Sequence, residues 1–187
     1  MLSHVEALLL SLVAEKPSYA YELEKEIEWR QMRRWVKIGV ASIYQVLRRL
    51  ERKGLVTSKK EREGNLPERS RYFLTERGRE ELVATAKELL SRLEWYYLDL
   101  NLGLECSHVL TPEEIAACLK RRLKAVESNL KRLDRDKEMY PSGSGFVKSQ
   151  AVLNSLAAFR RAERDCLLAL LDCLARSSGG GENKGKG

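Results

Sequence analysis

The sequence has no long hydrophobic run and few residues suited to metal binding. No apolar stretch approaches the roughly 18 residues that a membrane-spanning helix requires. Residues 1–14 lack the basic start and the small-residue cleavage site of a signal peptide. The two histidines, His4 and His108, have no neighbour at metal-ligand spacing, so we predict no metal site. We therefore expect a cytoplasmic protein without a membrane partner.

Patterns of catalytic sites are also absent. The sequence has no glycine-rich phosphate loop, no pairing of a nucleophile with a base and no cluster of metal ligands. No Cys-x-x-Cys pair occurs, and a reducing cytosol disfavours disulfides. We predict that the protein is not an enzyme and needs no cofactor, and that all four cysteines are small core residues on helical apolar faces: Cys106, Cys118, Cys166 and Cys173.

Positive charge, by contrast, is abundant and concentrated. The net charge is +7. Residues 30–62 contain eleven Lys and Arg against only Glu51 and Glu61, a local balance of +9, so the rest of the chain sums to −2. A field concentrated in one short segment favours a polyanionic partner, whereas scattered lysines favour only solubility. Nucleic acid is the first candidate.

Helical spacing of apolar residues predicts three helices at the start of the chain. The first has apolar residues at positions 5, 8, 9, 12 and 13 and ends before Pro17. The second begins with Ser18 as its N-cap. The third covers residues 40–53, buries Ile43, Leu47 and Leu50, and stops at Gly54. Its opposite face carries side chains able to contact base edges and phosphates: Ser42, Gln45, Arg48, Arg49 and Arg52.

Two short strands are predicted next, over residues 55–60 and 69–74. The intervening residues 61–68 include Gly64, Asn65 and Pro67, which indicates a hairpin with a polar, mobile tip. Three helices followed by a hairpin form the winged variant of the helix-turn-helix, whose third helix enters the major groove. Five basic residues of this wing are candidate DNA contacts: Lys59, Lys60, Arg62, Arg69 and Arg71.

Long helices are predicted for the rest of the chain. A fourth helix runs from Thr75 to about Leu102, a fifth begins at the Thr111 cap, and the last covers residues 146–175 after a turn at 140–145. The last two form an antiparallel hairpin with more apolar surface than it can cover, so we expect burial against a second copy. The predicted dimerisation residues are Leu119, Leu123, Val126, Leu130, Leu133, Leu167, Leu170 and Leu174.

The predicted fold class is mainly α with a small β wing. Residues 1–80 form a winged helix-turn-helix domain for DNA binding, and residues 81–176 form a long-helix region for dimerisation and effector sensing. Residues 177–187 are rich in glycine and polar side chains and are predicted to be disordered.

Four segments of the first 80 residues resemble the PadR family of bacterial transcriptional regulators. They are residues 17–23 (PSYAYEL), Trp35, residues 42–56 (SIYQVLRRLERKGLV) and residues 71–78 (RYFLTERG). The resemblance implies a homodimer that represses promoters and releases DNA when a phenolic acid, drug or other signal binds. It also implies that Tyr44 and its exposed neighbours face DNA.

Two segments depart from the family pattern. Tyr19-Ala20 stands where the family usually has His-Gly, and Gly39-Val40-Ala41 replaces its usual Ser-Pro-Gly. Gly39 can still cap a helix at a cost of a few tenths of a kcal/mol relative to Ser. The departures therefore concern local geometry more than function.

Several side chains allow two interpretations. Tyr44 either contacts a phosphate or packs under the wing as a core aromatic, and the wing cations either bind DNA or keep an edge strand soluble. The arginines of the third helix could form merely a solvated face. Trp35, Trp95 and Tyr96 either line a pocket for a small aromatic effector or belong to the core.

The predicted function is a sequence-specific regulator, a dimeric repressor that a small molecule or other signal releases from its operator. Two-fold symmetry predicts a pseudo-palindromic site on double-stranded DNA. The alternative is a winged-helix protein-interaction module without specific DNA binding, but it would need a neutral recognition face. RNA is disfavoured because the A-form major groove is too narrow for side chains to read.

Overall fold

A computed structural model describes residues 2–62, 68–138 and 147–179. The predicted wing tip, the turn at 140–145 and most of the predicted tail lie outside the described residues. The chain divides into two compact units, Met1–Trp95 and Tyr96–Gly187. The predicted class, mainly α with a small β wing, is confirmed.

The described residues of the first unit form four helices and one 3-10 turn: α1 (His4–Glu15), α2 (Ala20–Trp29), the turn Met32–Arg34, α3 (Val40–Arg52) and α4 (Glu76–Ser91). Its core is formed by the apolar stripes of α1, α2 and α3. Leu9, Ile27, Ile43, Leu47 and Leu50 are fully buried. The predicted buried face of the third helix is therefore confirmed.

Three short strands complete this unit: β1 (Ser18–Tyr19), β2 (Val56–Glu61) and β3 (Arg69–Leu74). They form one antiparallel sheet in the order β1-β3-β2. The prediction that Ser18 caps α2 is wrong, because Ser18 is a strand residue paired with Tyr72. The Glu22 carboxylate instead accepts a 2.9 Å hydrogen bond from the Tyr19 backbone N–H at the start of α2.

The predicted long fourth helix is interrupted. Arg92 has extended backbone angles (φ −77°, ψ 133°) after α4, and helix resumes only in α5 (Asp99–Glu105). Leu93, Trp95 and Tyr97 between them are largely exposed. Bulky aromatic residues are poor helix formers, and without buried contacts a helix this long gains too little to include them.

The second unit is built on two long helices, α6 (Pro112–Glu138) and α7 (Val147–Gly179), preceded by α5 and the 3-10 turn Cys106–Val109. The predicted start of α6 is confirmed: Thr111 Oγ1 accepts from Glu114 N at 3.2 Å, and Glu114 accepts from Thr111 N at 2.8 Å. All eight leucine and valine residues predicted to form a dimer lie in the apolar cluster of this unit. Within one chain they hold α6 and α7 together.

The prediction that the cysteines are core residues is wrong. Cys106, Cys118, Cys166 and Cys173 are all exposed. Two paired helices bury one stripe each, and leucine, valine and alanine occupy those stripes. In the part of the chain that the structure describes, no three metal-binding side chains come together and no helix is long and apolar enough to cross a bilayer.

Candidate nucleic-acid interface

The exposed face of α3 is polar and cationic. Gln45, Arg48 and Arg52 are exposed and follow one another at spacings of three and four, so they share one side of the helix. Ser42 is half-buried beside them. Neither Arg48 nor Arg52 forms an ion pair with any residue in 2–62, 68–138 or 147–179. Their guanidinium groups are therefore available to an external anion.

Arg49 is placed differently, because it points toward α1. Its Nε lies 2.8 Å from Glu6 Oε1, and Lys53 Nζ lies 2.7 Å from the same oxygen. Glu6 also accepts a 2.9 Å hydrogen bond from the Ser3 backbone N–H, and only 3% of its surface is exposed. Burial alone raises the pKa of this carboxyl, but the bonds from Lys53, Ser3 and Arg49 outweigh it and lower the pKa to about 2.

Two roles were considered for Tyr44: contact with a phosphate and packing under the wing. Tyr72 occupies the packed position instead of Tyr44. Tyr44 is 45% exposed, whereas Tyr72 of β3 is the tyrosine buried at the base of the wing. Burial raises the pKa of Tyr72, and the negative charge of Glu51 adds to the shift. Glu51 also accepts a 2.6 Å hydrogen bond from the Ser58 hydroxyl, which connects α3 to β2. Contact between Tyr44 and a phosphate remains a prediction.

The wing lysines lie on opposite faces of the hairpin. Lys59 is paired in register with Arg71, and Lys60 with Ser70, and neighbouring residues of a strand point to opposite faces. Lys59 is exposed with its Nζ 5.4 Å from the Phe73 ring centre. Lys60 Nζ pairs with Glu68 at 2.9 Å, and this ion pair is exposed enough for a phosphate to replace the carboxylate. Arg62, the residue after β2, is exposed.

Arg69 and Arg71 pack on tyrosine rings. The Arg69 guanidinium lies 5.0 Å from the Tyr21 ring centre, and that of Arg71 lies 4.6 Å from the Tyr19 ring centre. Arg71 Nε is buried 3.6 Å from Glu61 and has no hydrogen-bond partner among the described residues. Both arginines therefore contribute to packing on this face, and their contact with DNA remains a prediction.

The three aromatic residues predicted to line an effector pocket are all exposed. Trp35 follows the 3-10 turn of the first unit, and Trp95 is its last residue. Tyr96 belongs to the second unit, where its ring lies 5.4 Å from that of Phe159. Their role as effector contacts remains a prediction.

Sequence reasoning missed a cavity of about 500 Å³ in the second unit. Its wall is largely apolar, with Leu100, Leu104 and Ile115, and also includes Arg121 and Arg122. Periodicity could not predict it, because it depends on how α5 packs on α6. Glu6 was also missed, although an acidic residue three positions after Ser3 in an apolar helix is a recognisable signal.

Residues 9–84 match the model of the transcriptional regulator PadR-like family. Comparison with curated protein sequences finds no significant match. The sequence pattern of this family is thus carried by the winged-helix part of the chain.

Solved structures match over nearly the whole chain. Bacillus subtilis PadR in complex with operator DNA has a TM-score of 0.75 at 18% identity, covering 92% of this chain and 99% of that one. The same protein with p-coumaric acid gives 0.74 at 18% identity, with coverages of 91% and 98%. The Vibrio cholerae virulence activator AphA gives 0.71 at 15% identity, with coverages of 92% and 99%. The fold is that of these regulators.

Proposed function

Because residues 9–84 carry the pattern of the transcriptional regulator PadR-like family and the chain has the fold of PadR, we propose that this protein is a sequence-specific, DNA-binding transcriptional regulator. It acts as a dimeric repressor on a pseudo-palindromic operator. The observation that carries the proposal is the exposed face of α3, where Gln45, Arg48 and Arg52 project from a helix whose opposite side is fully buried.

The contacts divide into two kinds. Gln45 and Arg48 read base edges, since an amide suits adenine and a guanidinium suits guanine. Ser42, Tyr44, Arg52 and the exposed wing residues Lys59, Lys60 and Arg62 contact phosphates and so fix the position of each wing. The pairing of Arg49 with Glu6 favours Arg48 as the base-reading arginine.

Dimerisation is supported by apolar side chains that the second unit leaves exposed: Leu98, Leu102, Val109, Phe159 and Leu168. A soluble protein usually covers such residues against another surface when they are contiguous. A second copy covers them in the proposed dimer, and its two-fold symmetry matches two half-sites about one helical turn, roughly 34 Å, apart.

Release from DNA by a small aromatic acid is the proposed signal response, because B. subtilis PadR has been crystallised with p-coumaric acid. Each of the predicted contacts, Trp35, Trp95 and Tyr96, is a separate candidate location, and the cavity beside Arg121 in the second unit is the alternative. Isothermal titration calorimetry with p-coumarate distinguishes them. Trp95→Phe abolishes binding if the acid contacts Trp95, and Arg121→Ala abolishes it if the acid occupies the cavity. Absence of p-coumarate binding to wild type would contradict release by this acid.

Selection from a random duplex library followed by fluorescence polarisation tests the function. We expect one enriched duplex to bind more tightly than its scrambled version, with affinity falling steeply between about 50 and 200 mM salt. Arg48→Ala together with Arg52→Ala abolishes the preference. Arg161→Ala, an exposed arginine on α7, is the control and leaves the preference intact.

Two results would contradict the proposal. Equal weak binding to both duplexes, or no binding, favours a winged-helix protein-interaction module. A reporter placed behind the selected operator then distinguishes repression from activation, because AphA, with the same fold, is an activator.

A further inference from the structure

A buried carboxylate joins the first helix to the recognition helix. Glu6 of α1 is 3% exposed, and its Oε1 receives both the Nε of Arg49 and the Nζ of Lys53. Arg49 lies in the last turn of α3, Lys53 follows four residues later as the C-cap of this helix, and both are close to half exposed. One anion therefore holds two cations of the most basic segment of the chain.

The pairing sorts the cations of α3 into two sets. Arg48 and Arg52 have no ion-pair partner among the described residues and can meet an anion freely, whereas Arg49 and Lys53 are directed toward α1. Each cation that reaches a phosphate adds sequence-independent affinity and increases the salt dependence of binding. A helix with all four cations free would therefore bind any duplex more tightly.

We propose that Glu6 determines DNA specificity indirectly, as a positioning residue that withholds Arg49 and Lys53 from phosphates and fixes the side of α3 that faces the groove. It lowers binding to non-operator DNA and leaves Arg48 and Gln45 to read the operator. This inference rests on the proposed function, because it assumes that α3 is the surface that meets DNA.

The test compares Glu6→Gln with Glu22→Gln. Both variants remove one negative charge, and both residues accept a hydrogen bond from the backbone N–H at the start of their helix. Only Glu6 pairs with cations of α3. Binding is measured to the selected operator and to its scrambled version over a salt series, and circular dichroism checks that each variant is folded.

We expect Glu6→Gln to bind scrambled duplex at least several-fold more tightly than wild type near 100 mM salt. The slope of log affinity against log salt becomes steeper by about 1 to 2, since two freed cations each neutralise one phosphate. The ratio of operator to scrambled affinity falls. Glu22→Gln keeps the wild-type slope, so net charge alone does not explain the change.

A wild-type slope in folded Glu6→Gln would overturn the inference. If Glu6→Gln does not fold, the double variant Arg49→Ala with Lys53→Ala decides: the inference predicts an unchanged slope on scrambled duplex, and a slope reduced by about 2 refutes it. Wild type without operator preference contradicts the proposed function, while the slopes on scrambled duplex still test Glu6. If neither wild type nor Glu6→Gln binds any duplex, both proposals fail.

Discussion

Gly78 is the last residue of the Leu-Thr-x-x-Gly segment that leads from the wing into α4, and a close contact requires a glycine at this position. A Cβ at Gly78 would lie 2.0 Å from the Leu55 carbonyl oxygen, which is a backbone atom and cannot rotate away. The same turn is held by Thr75, whose hydroxyl donates to the Gly54 carbonyl oxygen at 2.8 Å and accepts from Gly78 N at 3.0 Å. Only glycine permits α4 to pack this closely against Leu55, in the segment between α3 and β2.

Gly78→Ala should therefore lower the free energy of unfolding by about 2 to 3 kcal/mol, the usual cost of an overpacked site. Gly103→Ala is the matched control, because a Cβ at Gly103 in α5 meets nothing within 4 Å. Alanine there leaves stability unchanged or raises it by up to about 1 kcal/mol, since it favours helix. Urea denaturation measures both, and equal losses would contradict the steric explanation.

Glu6 predicts a specific acid sensitivity. Its folded-state pKa of about 2 lies below the ordinary value of 4.5, so its stabilisation is complete above pH 4.5 and is lost as the pH falls toward 2. Because its partners are partly exposed, we expect a contribution on the order of 2 kcal/mol. The difference in denaturation midpoint between wild type and Glu6→Gln should be smaller at pH 3 than at pH 7. An equal difference at both pH values would refute the prediction.

At the scale of elements, the wing shows that cations of similar sequence context serve different purposes. The strands were predicted to within one residue at each end, because β-branched and aromatic residues on either side of a Gly-Asn-Leu-Pro segment indicate a hairpin. The sequence did not reveal that Arg71 lies over Tyr19 while Lys59, its register partner, stays exposed. That difference depends on α2 and β1 packing beside β3.

Arg71→Ala and Lys59→Ala should consequently separate stability from DNA binding. Arg71→Ala loses a cation–π contact and its packing, which lowers the free energy of unfolding by about 1 kcal/mol. Lys59→Ala keeps stability within about 0.5 kcal/mol but makes the salt slope of DNA binding shallower by about 0.9. Thermal unfolding and polarisation titrations measure the two effects. If instead Arg71→Ala made the salt slope shallower and Lys59→Ala lowered stability, Arg71 would be the phosphate contact.

At the scale of the whole molecule, the proposed dimer has a definite mass and spacing. One chain has a mass of 21.4 kDa, so sedimentation of the dimer should give about twice that value, and a single-chain mass would refute it. Inserting half a helical turn between the half-sites of the selected operator rotates one of them to the opposite side of the duplex. Affinity should then fall to that of scrambled DNA.

Local pattern was sufficient for the elements that depend on near neighbours. Helical spacing and turn residues predicted α1 to α3 and the hairpin, and helical spacing with the Thr111 cap predicted the two long helices, because each signal lies within a few residues of the structure that it specifies. The basic face of α3 followed from the same periodicity.

Only the tertiary structure decided what depends on contacts distant in sequence. Glu6 and Arg49 are 43 residues apart, so no periodicity could show that one cation of α3 is held while Arg48 is free. The interruption after α4 and the exposure of the cysteines likewise depend on which surfaces find a partner. An amino-acid pattern specifies which side of a helix is apolar, but packing determines how much of that side is buried and which charges remain available to a ligand.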